Sequence, residues 1–177
     1  MFILSNKPRV ALNSLLISML FTSLSCLASD TSLGVSATVV ASPCTVGTSA
    51  NQDVDLGSFY SNALNSPGST TDWANFTISL SSCPVSTRSV DMMLSGEAEG
   101  TTKYFKNTGG SSANVAIEIT SQQTGATTIG PGDTVNVSVV QATHAATFPL
   151  RAHMISPAGG GTPGTVAGTV ELTFRYN

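Results

Sequence analysis

Three cysteines, two histidines and one Asp-x-Asp pair are the residues whose types could support chemistry in this chain. Cys44 and Cys83 could close a disulfide or, with histidine help, ligate a metal. Two cysteines alone do not build a structural zinc site, and the spacing of His144 and His153 matches no common zinc pattern. Asp53 and Asp55 could hold a divalent cation, but they alternate with Val54 and Leu56, so strand geometry turns both carboxylates to solvent. Asp133, Ser138 and His144 supply the residue types of a hydrolytic triad, yet no serine stands in a nucleophile elbow. The Gly159-Gly160-Gly161 run lacks the Lys-Ser/Thr of a phosphate loop and reads as a hairpin connection. Trp73 reads as a core or edge anchor rather than a sugar platform, and the sequons at Asn75 and Asn136 fall inside strand-like patterns. The sequence therefore assigns no catalytic residue, no metal ligand and no cofactor.

The compartment follows from residues 1–28. Lys7 and Arg9 precede a short apolar core of Leu15, Leu16, Ile17, Met19, Leu20, Phe21 and Leu24, and Cys26 and Ala28 offer small groups at a cleavage site. That arrangement is a secretory signal peptide. Asn13, Ser14, Ser18, Thr22 and Ser23 interrupt the apolar run, which disfavours a membrane span, and Ser23 stands where a lipoprotein signal would usually carry Leu. Cleavage after Ala28 leaves five basic and ten acidic side chains and only Cys44 and Cys83 of the cysteines. In an oxidising compartment that lone pair is expected to form a disulfide, which by loop-closure entropy stabilises by roughly 4 kcal/mol. Over the full 177 residues, 7 Lys+Arg against 10 Asp+Glu leave no basic excess for phosphate backbones, so no nucleic-acid partner is expected. Charged residues at 10% also exclude a coiled coil or a Glu/Lys-rich bundle.

These residues must be positioned by strands, because the mature chain alternates with period two almost throughout. Val54 and Leu56 alternate with Asp53 and Asp55; Phe76, Ile78 and Leu80 with Thr77 and Ser79; Val115, Ile117 and Ile119 with Ala116 and Glu118. Val135, Val137 and Val139 repeat the rule, and Phe148, Leu150 and Ala152 extend it toward Met154. Gly/Pro/Asn/Ser clusters at 65–71, 107–112, 130–133 and 157–164 mark the turns. A final strand is expected from Gly164 to Tyr176, with Gly164, Val166, Gly168, Val170, Leu172, Phe174 and Tyr176 on one face. Leu33, Val35, Ala37 and Val39 alternate in the same way ahead of Pro43, either as an ordinary first strand or as an arm projecting from the domain. The fold class is all-β, a single immunoglobulin-like β-sandwich.

With these residues in place, the chain resembles the pilin subunits of chaperone–usher fimbriae, most closely the minor adaptor subunits of type 1 fimbriae. The resemblance spans the mature chain: the alternating amino-terminal segment, VVASPCTV, DVDLG, LSSCP, YFKNTGG, FPLRA, Gly164 and the penultimate Tyr176. It implies a sandwich lacking its last strand and completed by a donated one. It implies three regions: a signal peptide over 1–28, an amino-terminal donor-strand arm over 29–42 and a pilin domain over 43–177. Leu33, Val35, Ala37 and Val39 would fill a neighbour's groove, although Ala37 stands where related arms often carry Gly, which leaves the register open. Gly164, Val166, Val170, Leu172, Phe174 and Tyr176 would line this subunit's own groove and the strand bound by a chaperone.

The partners so implied are a periplasmic pilus chaperone, an outer-membrane usher and neighbouring fimbrial subunits. The protein would be exported through the periplasm to the fimbrium on the bacterial surface, as a structural adaptor and not an enzyme, with no small-molecule substrate. A major rod subunit is the alternative within that class, and a self-contained secreted carbohydrate-binding β-sandwich the alternative outside it. A tip adhesin is disfavoured at the sequence level because the mature length leaves no room for a separate lectin domain.

Overall fold

The computed structural model describes residues 43–47, 51–101, 103–123 and 126–177. The arm residues Leu33, Val35, Ala37 and Val39 and the signal segment lie outside the described residues. Within them the period-two pattern folds into strands β1 Thr45–Val46, β2 Ser69–Thr70, β3 Ala74–Ser81, β4 Ser89–Ser95 and β5 Phe105–Lys106. The chain continues through β6 Ala116–Ser121, β7 Thr128–Ile129, β8 Thr134–Ser138, β9 Ala146–Ser156 and β10 Glu171–Tyr176, with one 3-10 turn at Ser61–Leu64. One sheet has the order β1-β3-β9-β6-β5, with β2 also on β9 and β7 also on β6; the second has the order β10-β4-β8. Every ladder is antiparallel.

The inward side chains of the two sheets make one core. Ile78 and Leu80 of β3, Val90, Met92 and Leu94 of β4, Ile117 and Ile119 of β6, and Phe148, Leu150 and Ala152 of β9 are all buried in it. Phe148 meets Phe174 of β10 across the sandwich with ring centroids 6.1 Å apart. A smaller cluster of Leu64, Val115 and Met154 closes one side, with Leu56 and Val166 packed on both it and the main core.

Three sequence expectations change in the folded chain. Val54 and Leu56 keep their alternation, half-buried between exposed Asp53 and Asp55, but residues 51–60 carry no strand. There Asp55 Oδ1 accepts the Gly57 N–H at 2.9 Å, and the left-handed Gly57 (φ 83°) turns the chain where a ladder would have to continue. The last strand begins at Glu171, not Gly164. The Gly159–Gly161 run is no hairpin: it links β9 of one sheet to β10 of the other. It does so by close backbone contact, with Gly160 and Gly161 N–H groups donating to Asn65 and Leu64 carbonyls at 2.9 and 3.0 Å. A strand absent from the sequence reading also appears: β4, with Val90, Met92 and Leu94 inward and fully covered.

Cys44 and Cys83 form the expected disulfide, at a sequence separation of 39, and tie the segment entering β1 to the end of β3. Reducing it releases that constraint on the unfolded chain. A Cys44→Ser/Cys83→Ser variant should therefore lose roughly 4 kcal/mol of stability in denaturant titration, and thiol labelling of the denatured, unreduced wild-type domain should find neither cysteine free.

Candidate functional site: the edge strand β10 and its approach

Among the described residues β10 pairs with β4 alone, through six consecutive residue pairs from Glu171↔Ser95 to Tyr176↔Val90. Its side chains alternate as expected, with Glu171, Thr173 and Arg175 exposed and Leu172, Phe174 and Tyr176 turned to the core. The inward set is only half-buried, unlike Val90, Met92 and Leu94 on the adjoining strand. The same holds at the other sheet's border: Val46 of β1 lies opposite Leu80 and shares its inward face, yet is 40% exposed where Leu80 is 1% exposed. Phe76 of β3 is likewise half-buried against the core. Apolar side chains of both border strands, β1 and β10, are thus left partly uncovered by the sandwich. Burial pushes the Tyr176 phenol above its ordinary pKa, as expected of a ring set against that apolar strip.

The approach to β10 is held by a network the sequence reading missed. Val166 and Val170 are half-buried against the core, and Gly164, Thr165, Ala167, Gly168 and Thr169 are exposed, so the predicted alternation survives without a strand. The segment is fixed instead by the loop after β5. Asn107 Nδ2 donates to the Ser112 and Thr165 carbonyls at 2.8 and 3.2 Å, and its Oδ1 accepts the Ala167 N–H at 2.8 Å. Ser111 and Thr165 exchange backbone-to-hydroxyl bonds at 3.1 and 3.0 Å, and Ser112 and Gly109 N–H groups donate to the Thr165 and Ala167 carbonyls, both at 3.0 Å. The contact needs bare glycine: a Cβ on Gly164 would come 2.6 Å from the Ser112 nitrogen, and one on Gly110 would collide with the Thr165 carbonyl. Gly164 is thus a close-approach residue rather than a strand start.

At the other end of β10, Asn177 closes the ladder. Its carbonyl accepts from Ser89 N–H at 3.2 Å, and its amide donates to Asp91 Oδ2 at 3.0 Å. Hydrogen bonds from Asn136 and Asn177 and the nearby Arg175 charge hold the Asp91 carboxyl below its ordinary value.

The remaining chemistry-bearing residues are engaged elsewhere. Asp133 is ion-paired with Lys103 at 2.9 Å, while His144 Nδ1 contacts the Cys83 carbonyl at 3.0 Å, so the triad types are not assembled. Trp73 offers no bare platform, since His153 stacks on it at 3.5 Å and the Arg151 guanidinium lies 4.1 Å from its centroid. His153 itself is buried between Glu118 Oε2 at 2.9 Å and the Thr71 carbonyl at 3.1 Å.

Two outcomes test this geometry. Asn107→Ala removes three hydrogen bonds and should cost about 1–3 kcal/mol, with faster amide exchange confined to 165–170; Gly110→Ala should cost more, because backbone must move. The depressed Asp91 carboxyl contributes stability above its ordinary pKa and loses it as pH falls through the lower folded value. Acidification below about pH 4 should therefore shift the Asn177 side-chain amide signals in NMR, and Asp91→Ala should abolish that acid-dependent shift.

The description "Fimbrial protein" belongs to the family whose model matches residues 33–177. "Protein FimG" of Escherichia coli (strain K12) is 37% identical over 150 residues, covering 85% of this chain and 87% of that protein. "S-fimbrial adhesin protein SfaS" of Escherichia coli O6:K15:H31 (strain 536 / UPEC) is 33% identical over 149 residues, covering 83% of this chain and 85% of that protein. Among solved structures, the P pilus rod subunit PapA matches with TM-score 0.61 and 17% identity over 77% of this chain and all of that one, a likeness of fold. A protein of nearly this length can thus be named an adhesin, which removes the argument from size against that class. With a family model spanning most of the chain, relatives at 33% and 37% identity, an all-β incomplete sandwich and a half-covered edge strand, the chain belongs to the fimbrial protein family.

Proposed function

We propose that the chain is a structural minor subunit, an adaptor, of an adhesive fimbrium, assembled through the chaperone–usher pathway by exchange of donated strands. The observation that carries this reading is β10: a border strand paired on one side among the described residues, whose inward Leu172, Phe174 and Tyr176 remain half-buried. Backbone N–H and C=O groups on such a side must find partners, and an added strand supplies them along its whole length. Its alternate side chains would settle on the strip between β1 and β10, with Val166 and Val170 at one end.

The donated strand that this subunit offers to the next is the segment 29–42, with Leu33, Val35, Ala37 and Val39 facing the acceptor. The family match beginning at Leu33 supports assigning that segment to the functional protein and residues 1–28 to a removed signal. Burying three large apolar side chains supplies a gross ~5–9 kcal/mol before ordering costs, enough for the arm to matter in a fibre. The chaperone would occupy β10 until that exchange, the usher would order it, and the fibre would stand on the bacterial surface. No part of this role calls for catalysis, a cofactor or a small-molecule substrate. The resemblance of the arm and of the LSSCP-to-YFKN region to minor adaptor subunits favours the adaptor over the rod subunit, and the likeness to the rod subunit PapA extends to fold alone.

Paired experiments test the reading. Phe174→Ser or Tyr176→Ser should reduce co-purification with the chaperone at least tenfold and send the subunit to aggregation; soluble, chaperone-free accumulation would contradict it. Deleting 30–40 should leave a chaperone-bound, folded subunit that terminates fibre growth, and Val35→Asp should do the same by placing a charge in an apolar pocket. Loss of folding on deletion would instead identify 29–42 as the domain's own first strand.

A further inference from the structure

Two of the large apolar side chains most exposed among the described residues lie on neighbouring loops at one end of the sandwich. Val85 is 69% and Val140 57% exposed. Val85 lies in the β3–β4 connection and Val140 in the β8–β9 connection, and strand register brings those connections to the same end: Ser89 pairs with Ser138, and Leu80 with Ala146. Hydrogen bonds lock the two loops side by side. Cys83 N–H donates to the His144 carbonyl at 2.9 Å, Val139 N–H to the Arg88 carbonyl at 2.9 Å, and Gln141 Nε2 to the Thr87 carbonyl at 2.9 Å. The two valines are therefore presented on a stiffened surface and not on independent loop tips.

The place of this patch in the chain says what would cover it. Cys83 is bonded to Cys44, so the residues preceding Pro43 enter the domain at this same end. If those residues form an arm inserted in another subunit, that subunit is tethered a few residues from Val85 and Val140. Antiparallel insertion, the mode of every ladder in this fold, runs the arm's carboxyl end to the start of the acceptor's border strand. The disulfide end of the donor then abuts the opposite end of the acceptor. The two ends of this chain also differ in charge, the acidic excess lying at the end away from the disulfide. Exposed Arg88 and Arg175 lie near the disulfide end with Asp91 opposite Arg175, while Asp72, Glu97, Glu99, Asp133 and Glu171 outnumber Lys103 and Lys106 at the other.

We propose that the Val85–Val140 patch docks on the pilin subunit whose groove receives this chain's arm, so that the joint between subunits is a second contact and not the arm alone. This inference rests on the arm reading given above. A shared joint restricts swivelling at the junction and slows separation, because contacts that dock after the arm has seated act chiefly on the dissociation rate. Continuity with the arm brings the two surfaces together at high effective concentration, so even a small apolar contact would be occupied.

The test places a photo-crosslinking benzoylphenylalanine at Val85, at Val140, at Val35 in the arm, and at exposed Thr77 on the outer face of β3 as a control, in the full chain assembled into fibres with its chaperone and usher. The Val85 and Val140 probes should join the same subunit that the Val35 probe joins, and the Thr77 probe should not. In the same fibres, Val85→Asp/Val140→Asp should speed release of the subunit in denaturant about tenfold while arm crosslinking from position 35 persists. Crosslinking from Val35 without any subunit adduct from Val85 or Val140 overturns the docking proposal and leaves the arm reading intact, as do adducts to chaperone or usher only. Absence of any subunit adduct from Val35 overturns the arm reading and this proposal with it.

Discussion

The side of β10 left without a strand partner among the described residues is the constraint on which the rest of the molecule depends. A β-sandwich stabilises itself by covering two inner faces and by satisfying backbone donors and acceptors along its borders. Here the three-stranded sheet β10-β4-β8 opposes a wider sheet, and the inward residues Val46, Phe76, Leu172, Phe174 and Tyr176 remain incompletely covered. A fold left in that condition exposes a template for strand addition, which is an aggregation hazard in isolation and an assembly device when the added strand is specified.

Other features keep that border in a defined shape while it waits for a partner. The disulfide fixes where the chain enters β1, and the bonds of Asn107, Ser111, Ser112 and Thr165 fix how it approaches β10. Between them, β10 is paired with β4 and closed by Asn177 on Asp91 and Ser89. Preorganisation of this kind lowers the ordering cost of binding a strand, so more of the apolar burial appears as affinity. The clustering of polar side-chain bonds at the approach also explains an economy of charge in the sequence: uncharged Ser, Thr and Asn supply directional contacts without desolvating ions.

The parts of the fold legible in the sequence were those with a period-two signal. β3, β6, β8 and β9 each carried apolar residues on one parity, and each forms where the pattern ran. Val90, Met92 and Leu94 bore the same signal and define β4, but the long Met side chains on both parities at Met92 and Met93 blur it. The border residues Leu172, Phe174 and Tyr176 were readable for the same reason, and the sequence correctly set them on one face. The approach from Gly164 to Val170 was misread as strand because alternation reports which side chains face inward, not which backbone groups are paired. Its actual support comes from Asn107, some sixty positions away in the chain, through side-chain-to-backbone bonds that leave no periodic trace. Val54 and Leu56 teach the same lesson, since both turn inward from a segment with no ladder.

The central claim is that this sandwich is incomplete by one strand, and the most direct measurement moves residues 31–41 from the amino end to follow Asn177 through a short flexible linker. If the border of β10 is an open site, the rearranged chain should accumulate as a soluble monomer without chaperone and unfold cooperatively at a temperature well above that of the arm-deleted chain. Equal solubility and equal unfolding temperature for the rearranged and arm-deleted chains would contradict the account, because a sandwich that gains nothing from an added strand was already complete.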